Sequence, residues 1–163
     1  GAGGAGSATA YALCRLGVRR LSLFERDAAK AQELAEQLGG LFPQTRVEVL
    51  SDDERLIEAL LQAQGLVNAT PVGMHVHPGM PLSESALNAG VLREGLWVAD
   101  VIYLPQQTQL VRAARAAGCE VLTGGYMAVG QAVDAFRLFT GLEPNAERMA
   151  AHFEALIAAQ QGA

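Results

Sequence analysis

The run Gly1-Ala2-Gly3-Gly4-Ala5-Gly6 leads straight into a helical pattern, and this junction constrains the fold more than any other stretch of the chain. Its spacing is G-x-G-x-x-G. In such a turn the first glycine permits the tight bend and the second lets a diphosphate approach the backbone. The third lets helix and strand pack closely. The amino end of the helix that follows offers free N–H groups and positive potential, which suit an anion. The same pattern also describes a purely structural turn, so the rest of the chain has to decide between them.

Apolar periodicity and capping signals predict alternating helices and strands. A helix over Ala8–Leu16 closes at Gly17, and Leu21–Glu25 reads as a strand. Asp27 caps a second helix, which Gly39-Gly40 is expected to end. Arg46–Leu50 alternates as a strand, and Ser51 with Glu54 reads as a capping box for a helix carrying Leu56, Leu60 and Leu61. The apolar strand Gly65–Thr70 stops at Pro71, and a loop rich in Gly, Pro and His runs from Val72 to Pro81. A strand at Trp97–Ile102, a helix at Gln107–Ala117 and a strand at Glu120–Thr123 follow. Helices over Met127–Thr140 and Pro144–Ala159 complete the pattern. Short apolar strands between helices indicate an α/β, Rossmann-like doubly wound parallel sheet, with residues 1–163 as one dinucleotide-binding domain.

In that fold the glycine turn follows strand 1, which lies centrally in the order 3-2-1-4-5-6. No strand precedes Gly1 in the sequence. Leaving out a central strand opens a gap of roughly 9–10 Å between its neighbours and strips backbone groups of partners. The expectation is that the chain is the C-terminal part of a longer protein and begins just after strand 1.

Charge and cysteine content exclude several functions. The net charge of −5 and the scattered basic residues argue against nucleic acid as a partner. No apolar run reaches the roughly 18 residues of a membrane span. Cys14 and Cys119 are too few for a disulfide framework and lack metal-ligand spacing. They read as core thiols of a cytoplasmic protein.

Glu25 narrows the ligand. It falls about 20 residues after the glycine turn, at a strand end, where a carboxylate accepts hydrogen bonds from the adenosine ribose hydroxyls of NAD. The same charge, reinforced by Asp27, repels the 2′-phosphate of NADP. Arg26 pulls the other way, since a guanidinium can bind that phosphate or stack on adenine. NAD is the expected cofactor, with NADP as the alternative. Methyltransferases using S-adenosylmethionine have related loops, but they leave the later motifs without a role.

Those motifs are Val67-Asn68-Ala69-Thr70-Pro71-Val72-Gly73-Met74, Asp100-Val101-Ile102-Tyr103 and Gly124-Gly125-Tyr126-Met127-Ala128-Val129-Gly130-Gln131-Ala132. Together, in this order and spacing, they resemble the shikimate and quinate dehydrogenase family across essentially the whole chain. The stretch Met74–Gly79 and the tail Gln131–Gly141 are most similar to its NAD-using quinate/shikimate branch. The resemblance implies a C-terminal cofactor-binding domain of a two-domain oxidoreductase. Such an enzyme moves a hydride between a nicotinamide cofactor and a ring hydroxyl of shikimate or quinate, with 3-dehydroshikimate or 3-dehydroquinate as the ketone. The family's catalytic lysine and aspartate belong to an N-terminal substrate domain, so no catalytic residue is assigned in this chain. Lys30, its only lysine, reads as a solvated helix charge. A dinucleotide-sensing module without catalysis is the competing reading of the same fold.

Residue by residue, the resemblance places Gly1, Gly3, Gly4 and Ala5 along the pyrophosphate turn. Glu25 and Arg26 stand where NADP-specific members carry an Asn-Arg-Thr/Ser cluster. Thr70 and Val72 flank the cofactor near its ribose and phosphate. Val101 and Gly124 offer carbonyls to the nicotinamide carboxamide, and Met127 packs on its ring. Tyr103 and Gln131 reach the substrate. Asn68 is grouped with the cofactor contacts, although a strand-end asparagine can equally tie down the following turn. Two features depart from the family: Thr123 replaces a common acid, and Tyr126 a common small residue. Gln131 lies one helical turn beyond Met127, and a buried glutamine in that position would need a partner. His75 and His77 lack a third ligand and read as solvated side chains of a loop beside the nicotinamide. Asp100, within a strand, calls for a buried partner that the sequence does not name.

Overall fold

A computed structural model describes residues 1–161. Twelve elements alternate along it: α1 (Gly4–Arg15), β1 (Arg20–Leu23), α2 (Ala28–Leu41), β2 (Arg46–Val49), α3 (Asp53–Gln62), β3 (Gly65–Asn68), α4 (Glu84–Asn88), β4 (Trp97–Asp100), α5 (Gln109–Ala116), β5 (Glu120–Leu122), α6 (Gly124–Thr140) and α7 (Ala146–Gln161). All strand pairs are parallel, as short apolar strands joined by helices predict.

The strands form two sheets, β1-β2 and β3-β4-β5. Each has its own core. Ala10 and Cys14 of α1 pack with Leu34 and Leu38 of α2 against Leu23. Leu56 and Leu60 of α3 and Leu110 and Ala114 of α5 pack around Val98 of β4. Both cysteines are buried and unpaired.

Between the sheets, the free edges of β1 and β3 face a cavity of about 580 Å³ lined by Leu21, Leu23, Leu66, Val67 and the ring of Trp97. It lies where the doubly wound order puts strand 1. Gly1 closes its end: its nitrogen donates to Phe24 O beyond β1 at 2.7 Å. On its other side, a Cβ at Gly1 would lie 2.9 Å from Ala69 O beyond β3.

Several element ends differ from the sequence reading. α1 begins at Gly4, inside the glycine run, with Gly3 as its N-cap residue. α2 continues through Gly39-Gly40 to Leu41, and Phe42 leaves helical geometry at φ −129° and ψ 70°. Pro43 is the stronger stop, because it disfavours the helical region for the residue before it. Asp52, not Ser51, caps α3: its carboxylate accepts from Arg55 N at 2.9 Å, and Ser51 donates its hydroxyl to the same carboxylate. α6 starts at Gly124, three residues before the predicted Met127. The five-residue α4, capped by Ser83, is too short to show a helical period.

Candidate functional site

The glycine turn divides its glycines by task. A Cβ on Gly6 would overlap the Gly1 carbonyl, so only glycine fits that close approach. Gly3 and Gly4 have nothing within 4 Å of where a Cβ would stand. Gly3 caps α1 without a side chain, which leaves the first-turn N–H groups free of any side-chain cap. Gly4 and Ala5 are exposed beside it. Open space over free amides at a helix amino end fits a diphosphate.

Glu25, just beyond β1, faces this turn. Its Oε2 accepts from Ala2 N at 2.8 Å and its Oε1 from Asp27 N at 3.3 Å. The Ala2 bond leads the interactions that hold its carboxyl below the usual carboxylate range, followed by those from Asp27 and the Gly1 amine. The carboxylate expected at the ribose therefore stands against the glycine turn itself. Arg26 is exposed next to it.

A second group of residues collects at the C-terminal ends of β3 and β4. Asn68 and Asp100 are register partners, both buried. Asn68 Oδ1 accepts from Thr70 N at 3.1 Å and from Thr70 Oγ1 at 2.7 Å. Its Nδ2 donates to Val72 O at 3.2 Å and to Asp100 Oδ1 at 3.1 Å. The hydrogen-bonding capacity of the amide is thus used within the protein, and Asn68 organises Thr70 and Val72. Asp100 also accepts from Ile102 N at 3.1 Å and from Thr108 Oγ1 at 2.7 Å, which supplies the partners its sequence position demanded. Burial pushes its carboxyl up, against the pull of Thr108, Ile102 and Asn68.

Beside these ends lies a cavity of about 350 Å³ bounded by α1, the sheet and the start of α6; Val101, Gly124 and Met127 line it together. A Cβ on Gly124 would collide with the carbonyl groups of Val101 and Ile102, so glycine is what lets α6 begin against this loop. Tyr126, exposed to solvent, stands at the cavity's edge. Tyr103 is half-exposed and meets Phe153 of α7 edge-on, with ring centroids 6.5 Å apart. Gln131 is exposed, so no burial cost argues for a ligand there, contrary to the sequence reading. His75 and His77 are exposed, and no cluster of metal-ligating side chains occurs among the described residues.

A family model described as the Shikimate 5'-dehydrogenase C-terminal domain matches residues 126–152. A shikimate dehydrogenase (NADP(+)) of Arthrobacter sp. (strain FB24) is 55% identical over 161 residues, which are 99% of this chain and 53% of that protein. The chain matches the C-terminal cofactor-binding domain of the shikimate/quinate dehydrogenase family. Near its NAD-using branch, a quinate/shikimate dehydrogenase (NAD(+)) of Corynebacterium efficiens is 47% identical over 156 residues, 96% of this chain and 53% of that one. The structure of quinate dehydrogenase from Corynebacterium glutamicum in complex with NAD superposes with a TM-score of 0.85 at 45% identity, covering 95% of this chain and 53% of that chain. The chain therefore spans about half the length of the relatives it matches. Both NAD and NADP occur among these shikimate/quinate dehydrogenase relatives and their structures.

Within the shikimate/quinate domain, sequence reasoning missed Ala2 and Thr108. Ala2 is the unspecified position of the glycine motif and contributes only its backbone. Thr108 does carry a legible signal, a cap residue ahead of α5. Its bond to Asp100 spans a loop that no spacing rule reads.

Proposed function

We propose that the chain is the cofactor-binding domain of a two-domain shikimate/quinate dehydrogenase and that it prefers NAD. The observation that carries this reading is Glu25 held against the glycine turn at the uncapped amino end of α1. One ligand that satisfies both is a dinucleotide, with its diphosphate on the free amides and its ribose hydroxyls on the carboxylate.

In this reading Gly1, Gly3, Gly4 and Ala5 hold the diphosphate, and Glu25 and Arg26 face the adenosine ribose. Thr70 and Val72, set by Asn68, flank the far ribose and phosphate. Val101 and Gly124 present carbonyls to the carboxamide, and Met127 covers one ring face. When bound, the nicotinamide supplies a carbon that accepts or returns the hydride of the substrate's carbinol carbon. Tyr103 and Gln131 meet the substrate, shikimate or quinate, from the edge of the domain. The hydroxyl proton is managed by a lysine–aspartate pair on a separate N-terminal substrate domain, which is general acid–base catalysis. The half-length coverage of the relatives and the open slot between β1 and β3 support a larger parent protein.

Buried unpaired thiols support a reducing, cytoplasmic setting. No helix among the described residues is long and apolar enough to cross a membrane.

The test is calorimetric titration of the chain with NAD and NADP, beside an assay of quinate and shikimate oxidation. Weak NAD binding without turnover is expected from the chain alone. The two-domain protein carrying it should oxidise one or both acids with NAD. Failure to bind any dinucleotide, or a clear preference for NADP, contradicts the reading.

A further inference from the structure

The bonds around Asp100 form one connected line between two loops. From one side come Val72 N to Thr70 Oγ1, Thr70 to Asn68 Oδ1, and Asn68 Nδ2 to Asp100. From the other, Thr108 Oγ1 donates to Asp100 Oδ2 and accepts Val111 N of α5 at 3.1 Å, while Ile102 N donates to Oδ1. The side chains of Asn68, Asp100 and Thr108 are all buried. Three donors converge on the carboxylate, and no buried side-chain polar atom lacks a partner among the described residues. The Thr108 hydroxyl, already accepting from Val111, has its own proton free to give, so the ionised carboxylate completes the pattern. Apolar contact closes the same junction: a Cβ at Gly73 would lie 3.1 Å from Ile102 Cδ1 and 3.3 Å from Thr108 Cγ2.

We propose that Asp100, acting through Asn68 on one side and Thr108 on the other, is a positioning residue that fixes the loop after β3 against the loop after β4. This rests on the reading of the chain as a cofactor-binding domain. The first loop carries Thr70 and Val72, the second Val101 and Tyr103. The device therefore sets the distance between the far ribose and the nicotinamide, whereas the diphosphate itself rests on the glycine turn. The adenosine end, held by the glycine turn and Glu25, lies outside this network. Losing the device should cost affinity for the whole dinucleotide and spare its adenosine diphosphate half. General destabilisation would weaken both alike.

The experiment compares Thr108→Val, which removes the hydroxyl at nearly constant volume, with Thr108→Ser, which keeps it. Affinities for NAD and for adenosine diphosphate are measured by calorimetry, and amide hydrogen exchange is followed by NMR. In Thr108→Val, NAD affinity should fall about tenfold, the scale of a lost hydrogen bond to a charged group, while adenosine diphosphate affinity stays within about twofold. The Ile102 and Thr70 amides should exchange faster, with the Arg46 and Leu50 amides, bonded to Arg19 O and Leu23 O in the other sheet, unchanged. Thr108→Ser should restore both readouts. Equal losses for the two ligands, exchange that rises in both sheets, or unchanged exchange at Ile102 and Thr70 overturns the proposal. If the unaltered chain binds neither ligand, the cofactor reading fails, and the exchange pattern alone decides the positioning role. Should Thr108→Val not fold, Asp100→Asn is read by the same criteria.

Discussion

The carboxylate of Glu25 accepts the backbone N–H of Ala2 at 2.8 Å, which ties the end of β1 to the turn that starts α1. One side chain thus links the two parts of the chain proposed to hold a dinucleotide. Glu25→Ala removes the acceptor for the ribose hydroxyls, a charge-assisted bond, and should weaken NAD binding about tenfold. It also removes the charge that repels a 2′-phosphate, so NADP affinity should rise. Paired titrations with NAD and NADP check both directions. A variant that loses NAD and NADP affinity equally would contradict the assigned role.

The same bond predicts a pH signature. The carboxyl of Glu25 is held below its ordinary value, chiefly by the Ala2 N–H. Its contribution to stability is therefore fully present above the unfolded-state value of about 4.3 and is lost as pH falls through the lower folded-state value. The NMR shift of the Ala2 amide should titrate with a midpoint below about 4.3. In Glu25→Gln that step should vanish. A midpoint at or above the ordinary value would show that the bond does not hold the charged form.

Two glycines of one turn should respond oppositely to alanine. At Gly6 a methyl group overlaps the Gly1 carbonyl, a backbone atom of a tight turn. Overpacking of this kind costs about 1–3 kcal/mol, a fall in Tm of roughly 3–10 °C for a domain of this size. At Gly3 the backbone is extended, with φ −71° and ψ −172°, and a methyl group meets nothing within 4 Å. Gly3→Ala should leave Tm within about 2 °C while reducing NAD affinity at least about tenfold, because the methyl fills the space where the diphosphate approaches. Thermal melts and calorimetry on the pair separate packing from binding.

How far the sequence carried the reading depended on the range of each interaction. The glycine turn and Asp27 as the cap of α2 rest on short-range rules, and they were legible. The strands at Gly65 and Trp97 were found too, but they end at Asn68 and Asp100, two residues before the expected Thr70 and Ile102. The cap of α3 was misplaced by one residue because Ser51 and Asp52 are both cap-forming, and only the geometry shows the carboxylate taking Arg55 N. Gly39-Gly40 looked like a stop, but no contact excludes side chains there and the helix runs on until Pro43 intervenes. The bond from Asp100 to Thr108 and the burial of Asn68 depend on how a loop folds back over two strands. Periodicity does not encode that path, and the same blindness made exposed Gln131 look buried.

The slot between β1 and β3 leads to a stability prediction. Both strands present an unpaired edge to a cavity of about 580 Å³, walled by Leu21, Leu23, Leu66 and Val67. Gly1 stands at its end between Phe24 and Ala69, so a segment joined to Gly1 would run parallel to both strands. A strand of about five apolar, β-branched residues placed ahead of Gly1 would pair both edges and bury these side chains. Tm should rise by roughly 5 °C or more, since even a few buried side chains contribute several kcal/mol. The ring of Trp97, the only tryptophan, lines the slot, so its emission should shift to the blue as the cavity fills. Proline at the centre of the added segment should abolish both effects, because it removes a ladder donor from what would be a central strand. An equal rise in Tm with and without the proline would mean that the added residues do not enter the slot.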